Sequence, residues 1–375
     1  MTNSIEMVDL RGQFKKIHTE IEEAIAKVLQ SGRFIGGEEV ANFEKEAAEY
    51  LGAKHAIGCA SGTDALMIAM MALGIKSNDE VITTPFTFAA TAETIAILDA
   101  TPVYADINAH TYNIAFQKIE SAITPKTRFM IPVHLFGQPA EMDEIMAIAK
   151  RHNLQVIEDA AQAFGAEYKG RKVCTIGDIS CVSFYPSKNL GAYGDAGLIV
   201  TNNDELAANV RSICNHGQAR AYYHDRLGVN SRLDAIQAAI LRVKLRYLDK
   251  WNDARRRAAK IYDSHFTASA IIPPFSIGGI KHIYHQYSVQ VPNRNAVAAY
   301  LKERSIPTMI YYPVPLHLQP AYNRHSGGNA GAFPVSEQVA NDIISLPMHS
   351  ELTDEQTSYI AEMVIQAYEH CGVQK

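Results

Sequence analysis

The chain has 375 residues, a length that fits more than one domain. Of these residues 47% are hydrophobic and 20% are charged, which is typical of a folded protein. Its formal net charge of −5 argues against a nucleic-acid-binding protein, because such proteins usually carry a basic surplus. No apolar run approaches the roughly 20 residues needed to cross a bilayer, and the N-terminus lacks the pattern of a signal peptide. We therefore expect a cytoplasmic protein with no nucleic-acid or membrane partner.

Strand-like and helical segments alternate through the first two-thirds of the chain. The strand candidates are short and rich in Val and Ile, as buried parallel strands are: His55–Cys59, 80–84, 102–106, 129–135, Gln155–Asp159, 181–184 and 198–201. Helical stretches at 64–73, 89–98 and 142–151 lie between several of them. This alternation predicts an α/β fold with a large, mostly parallel sheet and helices on both faces.

A long helical stretch at 233–259 is expected to lead from this sheet into a second, smaller domain. Beyond it, a strand at 287–291 and a helix at 354–368 indicate a small α/β unit. We predict a large domain over residues 1–250 and a small C-terminal domain over residues 251–375. Ligands of such sheets bind at the carboxyl ends of the strands, so site residues are expected just after the strands.

Cysteine and basic residues give little sign of further sites. The cysteines are odd in number and scattered, without a C-x-x-C pair: Cys59, Cys174, Cys181, Cys214 and Cys371. They predict reduced thiols, and neither they nor the histidines form a metal-binding motif. The densest basic run, Arg255-Arg256-Arg257, is interpreted as a solvated helix face, with an anion-binding patch as the alternative.

Three segments that follow predicted strands carry residues suited to a phosphorylated cofactor. Small residues at Ser61-Gly62-Thr63 open a helix and could cradle a phosphate; the alternative is a simple helix cap at Ser61 or Thr63. Asp159 ends a buried strand, where a carboxylate is costly unless a cation meets it; the alternative is helix capping. Lys188 follows an apolar strand, where partial burial would make its amine nucleophilic, although most lysines are surface charge.

These three features together match the needs of pyridoxal 5'-phosphate. The lysine forms a Schiff base with the cofactor, the acid keeps the ring nitrogen protonated, and the helix N-terminus holds the phosphate. The sequence therefore predicts a pyridoxal-phosphate enzyme with Lys188 and Asp159 as its catalytic residues.

Several motifs resemble those of the DegT/DnrJ/StrS family of nucleotide-sugar aminotransferases, in the same order. They include DEVITTPFTFAATAE, IPVHLFGQPAEMD, VIEDAAQAFGAEYKG, SFYPSKNLGAYGDAGL and GVNSRLDAIQAAIL, and a weaker match, YYPVPLHLQPAY, continues towards the C-terminus. The resemblance implies pyridoxal-phosphate fold type I, the fold of aspartate aminotransferase. It also implies an amino transfer from L-glutamate to a keto-sugar carried on a nucleotide, in a homodimer with shared active sites.

The resemblance also implies a role for individual residues. Lys188 would hold the cofactor and move protons, Asp159 would pair with the ring nitrogen, and Gln162 would lie near the ring hydroxyl. The other expected cofactor contacts are stacking by Phe88, phosphate binding by Gly62, Thr63 and Ser183, and a phosphate contact from Asn230 of the neighbouring subunit. The alternatives are a core aromatic at Phe88, a small core residue at Ser183 and a turn residue at Asn230.

The substrate is narrowed by the segments HGQARAYYHDRLGVNSRLD and IYYPVPLHLQP. They resemble the subgroup that aminates C3 of a UDP-linked 2-acetamido-2-deoxy-3-keto-hexuronic acid for bacterial O-antigen. Arg232 would bind the carboxylate with two hydrogen bonds; the alternative is a salt bridge with Asp234 or a neighbour. Tyr311 and Tyr312 are further candidates for substrate binding, although the subgroup has histidine where this chain has Tyr311.

Two other functions are weighed against this one. The first is a 4-aminotransferase that acts on a UDP- or dTDP-linked 4-keto-6-deoxy sugar. The second is a non-catalytic regulatory or binding protein on the same fold, which would have no need of Lys188.

Overall fold

The computed structural model describes residues 5–267, 269–322 and 328–372. Its strands are β1 His55–Cys59, β2 Glu80–Thr83, β3 Thr101–Tyr104, β4 Thr127–Met130, β5 Gln155–Asp159, β6 Glu167–Tyr168, β7 Arg171–Lys172, β8 Ile179–Ser183, β9 Gly197–Thr201, β10 Gln218–Arg220, β11 Tyr223–His224, β12 Ile280–Lys281, β13 Tyr287–Gln290 and β14 Ile343–Leu346. Its α-helices are α1 Leu10–Ser31, α2 Glu38–Leu51, α3 Gly62–Ala72, α4 Ala90–Ile97, α5 Met142–His152, α6 Asp204–Cys214, α7 Ala235–Leu245, α8 Leu248–Phe266, α9 Arg294–Glu303, α10 Pro334–Asp342 and α11 Asp354–Gly372.

A seven-stranded sheet with the order β1-β9-β8-β5-β4-β2-β3 forms the centre of the molecule. The strands β3, β2, β4, β5 and β8 pair in parallel, whereas β9 is antiparallel to both of its neighbours, β1 and β8. All seven predicted strands lie in this sheet, and the predicted α/β class with a mostly parallel sheet is confirmed.

One predicted strand ends early and one predicted helix is interrupted. The strand expected at 129–135 ends at Met130, because Pro132 has no N–H with which to continue the ladder. The helix expected at 233–259 is divided at Arg246 and Tyr247 into α7 and α8. The side chains of both residues bind Glu20 of α1. The predicted continuous helix is therefore interrupted at the point where it contacts α1.

The two N-terminal helices were not predicted, although local signals mark them. The Asp9 carboxylate accepts a hydrogen bond from the N–H of Gly12 at 2.7 Å and caps α1, which ends at Gly32 in the left-handed conformation. Ile17 and Ile21 of α1 are buried in an apolar cluster with Val243 of α7. Helix α1 therefore covers α7, whose position matters for the site described below.

A second core lies beyond the central sheet, around the antiparallel pair β13 and β14 and the helices α8, α9 and α11. The first turn of α8 packs on the central sheet through Leu248, whereas its later turns, from Ala258 to Phe266, pack in the second core. Ile5, at the other end of the chain, also packs there. The boundary at residue 250 stays a prediction, and it falls inside the helix that joins the two cores.

The prediction that Arg255 lies on a solvated helix face is wrong. Arg255 is 4% exposed, and its Nη1 donates to the carbonyl oxygens of Tyr284, His285 and Met348 at 2.8–3.2 Å. Burial lowers its pKa to about 10. The guanidinium thus joins α8 to two segments of the second core, while Arg257, on the exposed side of the helix, forms an ion pair with Asp354 at 2.9 Å.

A capping contact joins the edge of the central sheet to helix α10. The Asp106 carboxylate, just after β3, accepts hydrogen bonds from the N–H groups of Val335 and Ser336 and from the Ser336 hydroxyl at 2.6–3.0 Å. An anion at a helix N-terminus is stabilised by the helix dipole. Within the part of the chain that the structure describes, no helix is both long and apolar enough to cross a membrane.

Candidate active site

Several of the predicted site residues lie at the carboxyl edge of the central sheet. Asp159 is the last residue of β5 and Ser183 the last residue of the neighbouring β8, while Lys188 follows five residues later. Helix α3 begins directly after β1. This is the edge at which ligands bind in parallel sheets.

Asp159 is buried with few hydrogen-bond donors. Its side chain accepts from the Thr91 hydroxyl at 2.8 Å and from the Ala161 N–H at 3.2 Å. Burial raises the pKa of its carboxyl, and the two hydrogen bonds and the charge of Lys188 oppose this rise. Residues 161–165 form a turn rather than a helix, so Asp159 does not cap a helix. A carboxylate in this state fits a cationic ring nitrogen, which would remove the cost of its burial.

The neighbouring Glu158 is already satisfied. Its carboxylate accepts from the His134 ring at 3.0 Å, from the N–H groups of residues 174, 176 and 177 at 2.8–3.0 Å and from the Ser180 hydroxyl at 2.9 Å. Burial raises the pKa of Glu158, but these donors outweigh it and hold the pKa below its usual value. The nitrogen Nδ1 of His134 accepts from the Ala140 N–H at 3.0 Å, so Nε2 carries the proton donated to Glu158.

Lys188 is a half-buried side chain, not a surface charge. Burial lowers the pKa of its amine to about 8, although the charge of Asp159 opposes this shift. Its backbone N–H donates to the carbonyl of Tyr185 at 2.8 Å, and the Ala192 N–H donates to the carbonyl of Phe184 at 2.8 Å. These two bonds close a tight turn with Lys188 inside it, and the lowered pKa leaves part of the amine unprotonated near neutral pH.

The N-terminus of α3 lies against the end of β8. The Ser61 hydroxyl accepts from the Asp64 N–H at 3.1 Å, so the capping role expected for Ser61 is present. A Cβ atom on Gly62 would lie 2.6 Å from Cβ of Ser183, which shows how closely helix and strand approach. Over the described ranges, the N–H groups of Gly62 and Thr63 have no hydrogen-bond partner. These donors and the half-buried Ser183 hydroxyl fit a phosphate.

An aromatic side chain and an amide border the same cleft. Phe88 is 58% exposed, so the core alternative is wrong for it, whereas Phe86 is completely buried. The Phe88 ring centroid lies 6.3 Å from that of Tyr312. Nε2 of Gln162 donates to the Tyr312 hydroxyl at 3.1 Å, and its Oε1 accepts from the Phe136 N–H at 2.7 Å. Tyr312, which packs in an apolar cluster with Phe86 and Phe136, thus lies next to the two residues predicted to contact a cofactor ring.

The remaining substrate candidates lie on different elements. Tyr311 is half-buried beside Tyr312, with 5.9 Å between the ring centroids. Asn230 and Arg232 are exposed, and Nε of Arg232 donates to Oδ1 of Asn230 at 2.9 Å. The salt bridge considered for Arg232 is not found among the described residues. Ser231, between the two, is buried, and its hydroxyl accepts from the Ala60 N–H at 3.1 Å, so this segment runs beside β1.

Two polar residues of the site were missed. Thr91 donates to Asp159 from 68 positions away, and His134 supports Glu158 from 24 positions away. Thr91 stands in the segment PFTFAATAE together with Phe88, but a threonine in a helical stretch has no local pattern that indicates a buried hydrogen bond. No group of metal-binding side chains occurs within the described ranges.

Comparison with known families gives a match over most of the chain. The model of the DegT/DnrJ/EryC1/StrS aminotransferase family matches residues 15–365. A crystal structure of DesV from S. venezuelae, in complex with a ketimine intermediate, superposes with a TM-score of 0.95 at 39% identity and covers 98% of this chain and 99% of DesV.

Curated relatives are similar over nearly their whole length. A pleiotropic regulatory protein of Geobacillus stearothermophilus is 47% identical, with 98% of this chain and 99% of the relative covered. A UDP-2-acetamido-2-deoxy-3-oxo-D-glucuronate aminotransferase of Pseudomonas aeruginosa is 48% identical, with 93% and 96% covered. A UDP-N-acetyl-3-dehydro-alpha-D-glucosamine 3-aminotransferase of Acidithiobacillus ferrooxidans is 46% identical, with 96% and 97% covered.

Proposed function

Because the chain belongs to the DegT/DnrJ/EryC1/StrS aminotransferase family, we propose that it moves an amino group from L-glutamate to C3 of a UDP-linked 3-keto-hexuronic acid. It is a pyridoxal-phosphate-dependent aminotransferase of nucleotide sugars with fold type I. Two relatives that act on 3-oxo sugars linked to UDP support amination at C3. The observation that carries the catalytic part is the half-buried Lys188 amine near Asp159, with its pKa lowered to about 8.

The site residues fit the cofactor in the following way. Lys188 would bind it covalently, the Asp159 carboxylate would hold the proton on its ring nitrogen, and Gln162 would approach its ring hydroxyl. Phe88 would cover one ring face, while Gly62, Thr63 and Ser183 would bind the phosphate. When bound, pyridoxal phosphate withdraws electrons from the reacting carbon.

The chain's own groups perform the proton transfers and the positioning. Nζ of Lys188 can take up and return a proton near neutral pH, and a positioned base of this kind typically contributes about 10²–10⁴-fold to the rate. The Asp159 side chain faces the cleft, whereas the Glu158 carboxylate, on the opposite face of the strand, is bound by its own donors. Tyr312, held by Gln162, lies beside Phe88 and so borders the site.

Arg232 is the residue proposed to bind the carboxylate of the hexuronic acid. Its Nε is occupied by Asn230, which leaves the two terminal nitrogens for a bidentate contact with a carboxylate. Tyr311 and Tyr312 would contact the sugar. In the same segment, Ile35 pairs with Asp234, and both Ile35 and Phe34 are about half exposed. Exposed apolar groups beside Asn230 and Arg232 support a homodimer in which this segment serves the partner's site.

A panel of acceptors tests the substrate. The protein with pyridoxal phosphate and L-glutamate is expected to aminate a UDP-3-keto-hexuronic acid faster than a UDP- or dTDP-4-keto-6-deoxy sugar. Arg232→Ala should lower kcat/KM for the uronic acid by about 10- to 100-fold more than for a neutral 3-keto sugar. Arg128→Ala, at an exposed arginine on β4, is the matched control. Equal loss on both sugars would contradict the role of Arg232.

Two further functions follow from specific observations. Tyr311, where the 3-keto-uronate subgroup has histidine, favours the 4-keto-6-deoxy alternative, and the acceptor panel separates the two. The similarity to a pleiotropic regulatory protein favours a regulatory role, which would leave Lys188 without chemistry.

We also propose a cytoplasmic location and a role in O-antigen synthesis; the five cysteines are unpaired, as expected for a reducing compartment.

A further inference from the structure

Helix α7 carries a buried cation that has no part in the chemistry described above. Lys244 is 1% exposed, and its ammonium donates to the carbonyl oxygen of Gly191. The nitrogen lies 4.7 Å from the ring centroid of Tyr193 and 5.9 Å from that of Trp251. No carboxylate lies within 4.0 Å of it in the parts of the chain that the structure describes.

Burial of this lysine is unfavourable for the fold. Burial lowers the pKa of Lys244 to about 7, since a single carbonyl and two ring faces replace the water around the ammonium. An apolar side chain of similar volume would fill the same space without that cost. Packing alone therefore gives no reason for a lysine at this position, and the contact with Gly191 becomes the feature to explain.

Gly191 belongs to the closed turn that carries Lys188. A Cβ atom on Gly191 would collide with the carbonyl oxygen of Pro186, so the end of the turn lies directly against its beginning. The Ala192 N–H closes the turn by donating to Phe184. A contact that fixes the Gly191 carbonyl thus fixes the backbone on both sides of Lys188.

The same turn is held by neutral groups at two other points. Oε1 of Gln237, also on α7, accepts from the Tyr193 N–H at 2.8 Å. On the opposite side, Nδ2 of Asn189 donates to Oδ1 of Asn252 on α8 at 2.7 Å. Of the three contacts, the one from Lys244 has a donor that can carry a charge, and hydrogen bonds from charged donors are the stronger class.

We propose that Lys244 is a positioning residue for Lys188: its ammonium holds the Gly191 carbonyl and thereby fixes the turn from which the Lys188 amine reaches the site. The inference rests on the role proposed for Lys188. It concerns the backbone of the turn, however, and can be measured without cofactor or substrate.

Amide hydrogen exchange in the full, cofactor-free chain tests this role. Lys244→Met keeps most of the side-chain volume and removes the donor, and amides of residues 185–192 should then exchange about 10-fold faster or more. Val243→Ala, at a buried neighbour on the same helix, is the matched control and should leave the turn unchanged. A similar acceleration in both variants, or an unchanged turn in Lys244→Met, overturns the proposal.

A second variant and a spectroscopic measurement guard against a folding defect. Lys244→Gln retains an amide donor one atom shorter than the lysine, and exchange in the turn should lie between wild type and Lys244→Met. In the protein loaded with pyridoxal phosphate, the pH midpoint of the absorbance band of the Lys188-linked cofactor should shift in Lys244→Met and not in Val243→Ala. An unshifted midpoint would show that the contact does not reach Lys188. A colourless protein with an accelerated turn would reject the proposed function and leave the positioning role intact.

Discussion

At the scale of single residues, two adjacent carboxylates at the end of β5 have different roles because their surroundings differ. Successive side chains of a strand point to opposite faces, so Glu158 meets the donors of residues 134 and 174–180 while Asp159 meets the cleft. The pKa of Glu158 is held down and that of Asp159 is raised. One acid stabilises the fold in its charged form, and the other is left for a cation.

Neutral amide replacements should therefore act in different ways at the two positions. Glu158→Gln should lower the free energy of unfolding by about 2–3 kcal/mol, because a buried charged acceptor loses its donors. This stabilisation is present above the usual carboxyl pKa and is lost as the pH falls through the lowered pKa. Chemical denaturation of the cofactor-free protein at several pH values measures both effects.

Asp159→Asn should leave the cofactor-free protein equally stable or more stable at neutral pH. The raised pKa means that the folded state loses stability as the pH rises from the usual value to the raised one, and the amide removes this loss. The rate of amino transfer should fall by about 10²-fold or more. A strongly destabilised Asp159→Asn variant would show that this acid is structural.

The lowered pKa of Lys188 gives a pH prediction of its own. Only the neutral amine adds to an aldehyde, so the rate at which the cofactor-free protein reacts with pyridoxal should rise with pH and level off above about 8. Stopped-flow absorbance measures this rate, with Lys188→Arg as the control for other lysines. A rise that continues to about pH 10, the range of an ordinary lysine, would contradict the burial of this amine.

Residues with a local signature could be predicted from sequence, and residues defined by distant contacts could not. Lys188, Asp159 and Gly62 each follow an apolar strand, and the structure brings them to one edge of the sheet. Thr91, Arg255 and Lys244 act through partners 29 to 93 positions away. The run of three arginines even indicated the wrong environment for Arg255, because helical periodicity shows which residues share a face but not what lies against it.

At the scale of elements, the site depends on the close approach of α3 and β8. Gly62 and Ser183 are the contact point, and a methyl group at Gly62 would meet the Ser183 side chain at 2.6 Å. The strands that create this edge were predictable because buried parallel strands are continuous apolar runs. The break between α7 and α8 was not, and the residues at this break bind Glu20 of α1, which is distant in the sequence.

A single methyl group should open this contact. Gly62→Ala should weaken the affinity for pyridoxal phosphate by about 10-fold or more, because the backbone donors of α3 move away from Ser183. The affinity for pyridoxal, which lacks the phosphate, should change little. Gly278→Ala, with open space around its Cβ position, is the control. Equal weakening of both ligands would argue against a phosphate cradle at this helix.

At the scale of the whole molecule, Asn230 and Arg232 face outward while the other site residues surround one cleft. This arrangement is explained if each chain of a dimer contributes Asn230 and Arg232 to the active site of its partner. The sequence indicated it only through family resemblance, because no local pattern shows which chain a loop serves.

Hybrid dimers test directly whether Arg232 acts in the active site of the partner chain. Alone, Lys188→Ala chains should be inactive towards the uronic acid, and Arg232→Ala chains should keep about a tenth of the wild-type activity or less. Co-refolding equal amounts should restore about a quarter of wild-type activity, because half of the dimers then contain one intact site. Sites built within one chain would give no recovery. Size-exclusion chromatography with light scattering measures whether each preparation is dimeric, as proposed.

Lys188 serves an aminotransferase reaction only if its amine binds pyridoxal phosphate, and an absorbance spectrum detects that bond. The protein reconstituted with pyridoxal phosphate should show a visible band that is absent in Lys188→Ala. L-glutamate should remove the band, and a 3-keto nucleotide sugar should restore it. A protein that stays colourless, or a band that L-glutamate does not change, would exclude this role of Lys188 and favour a regulatory or binding role on the same fold.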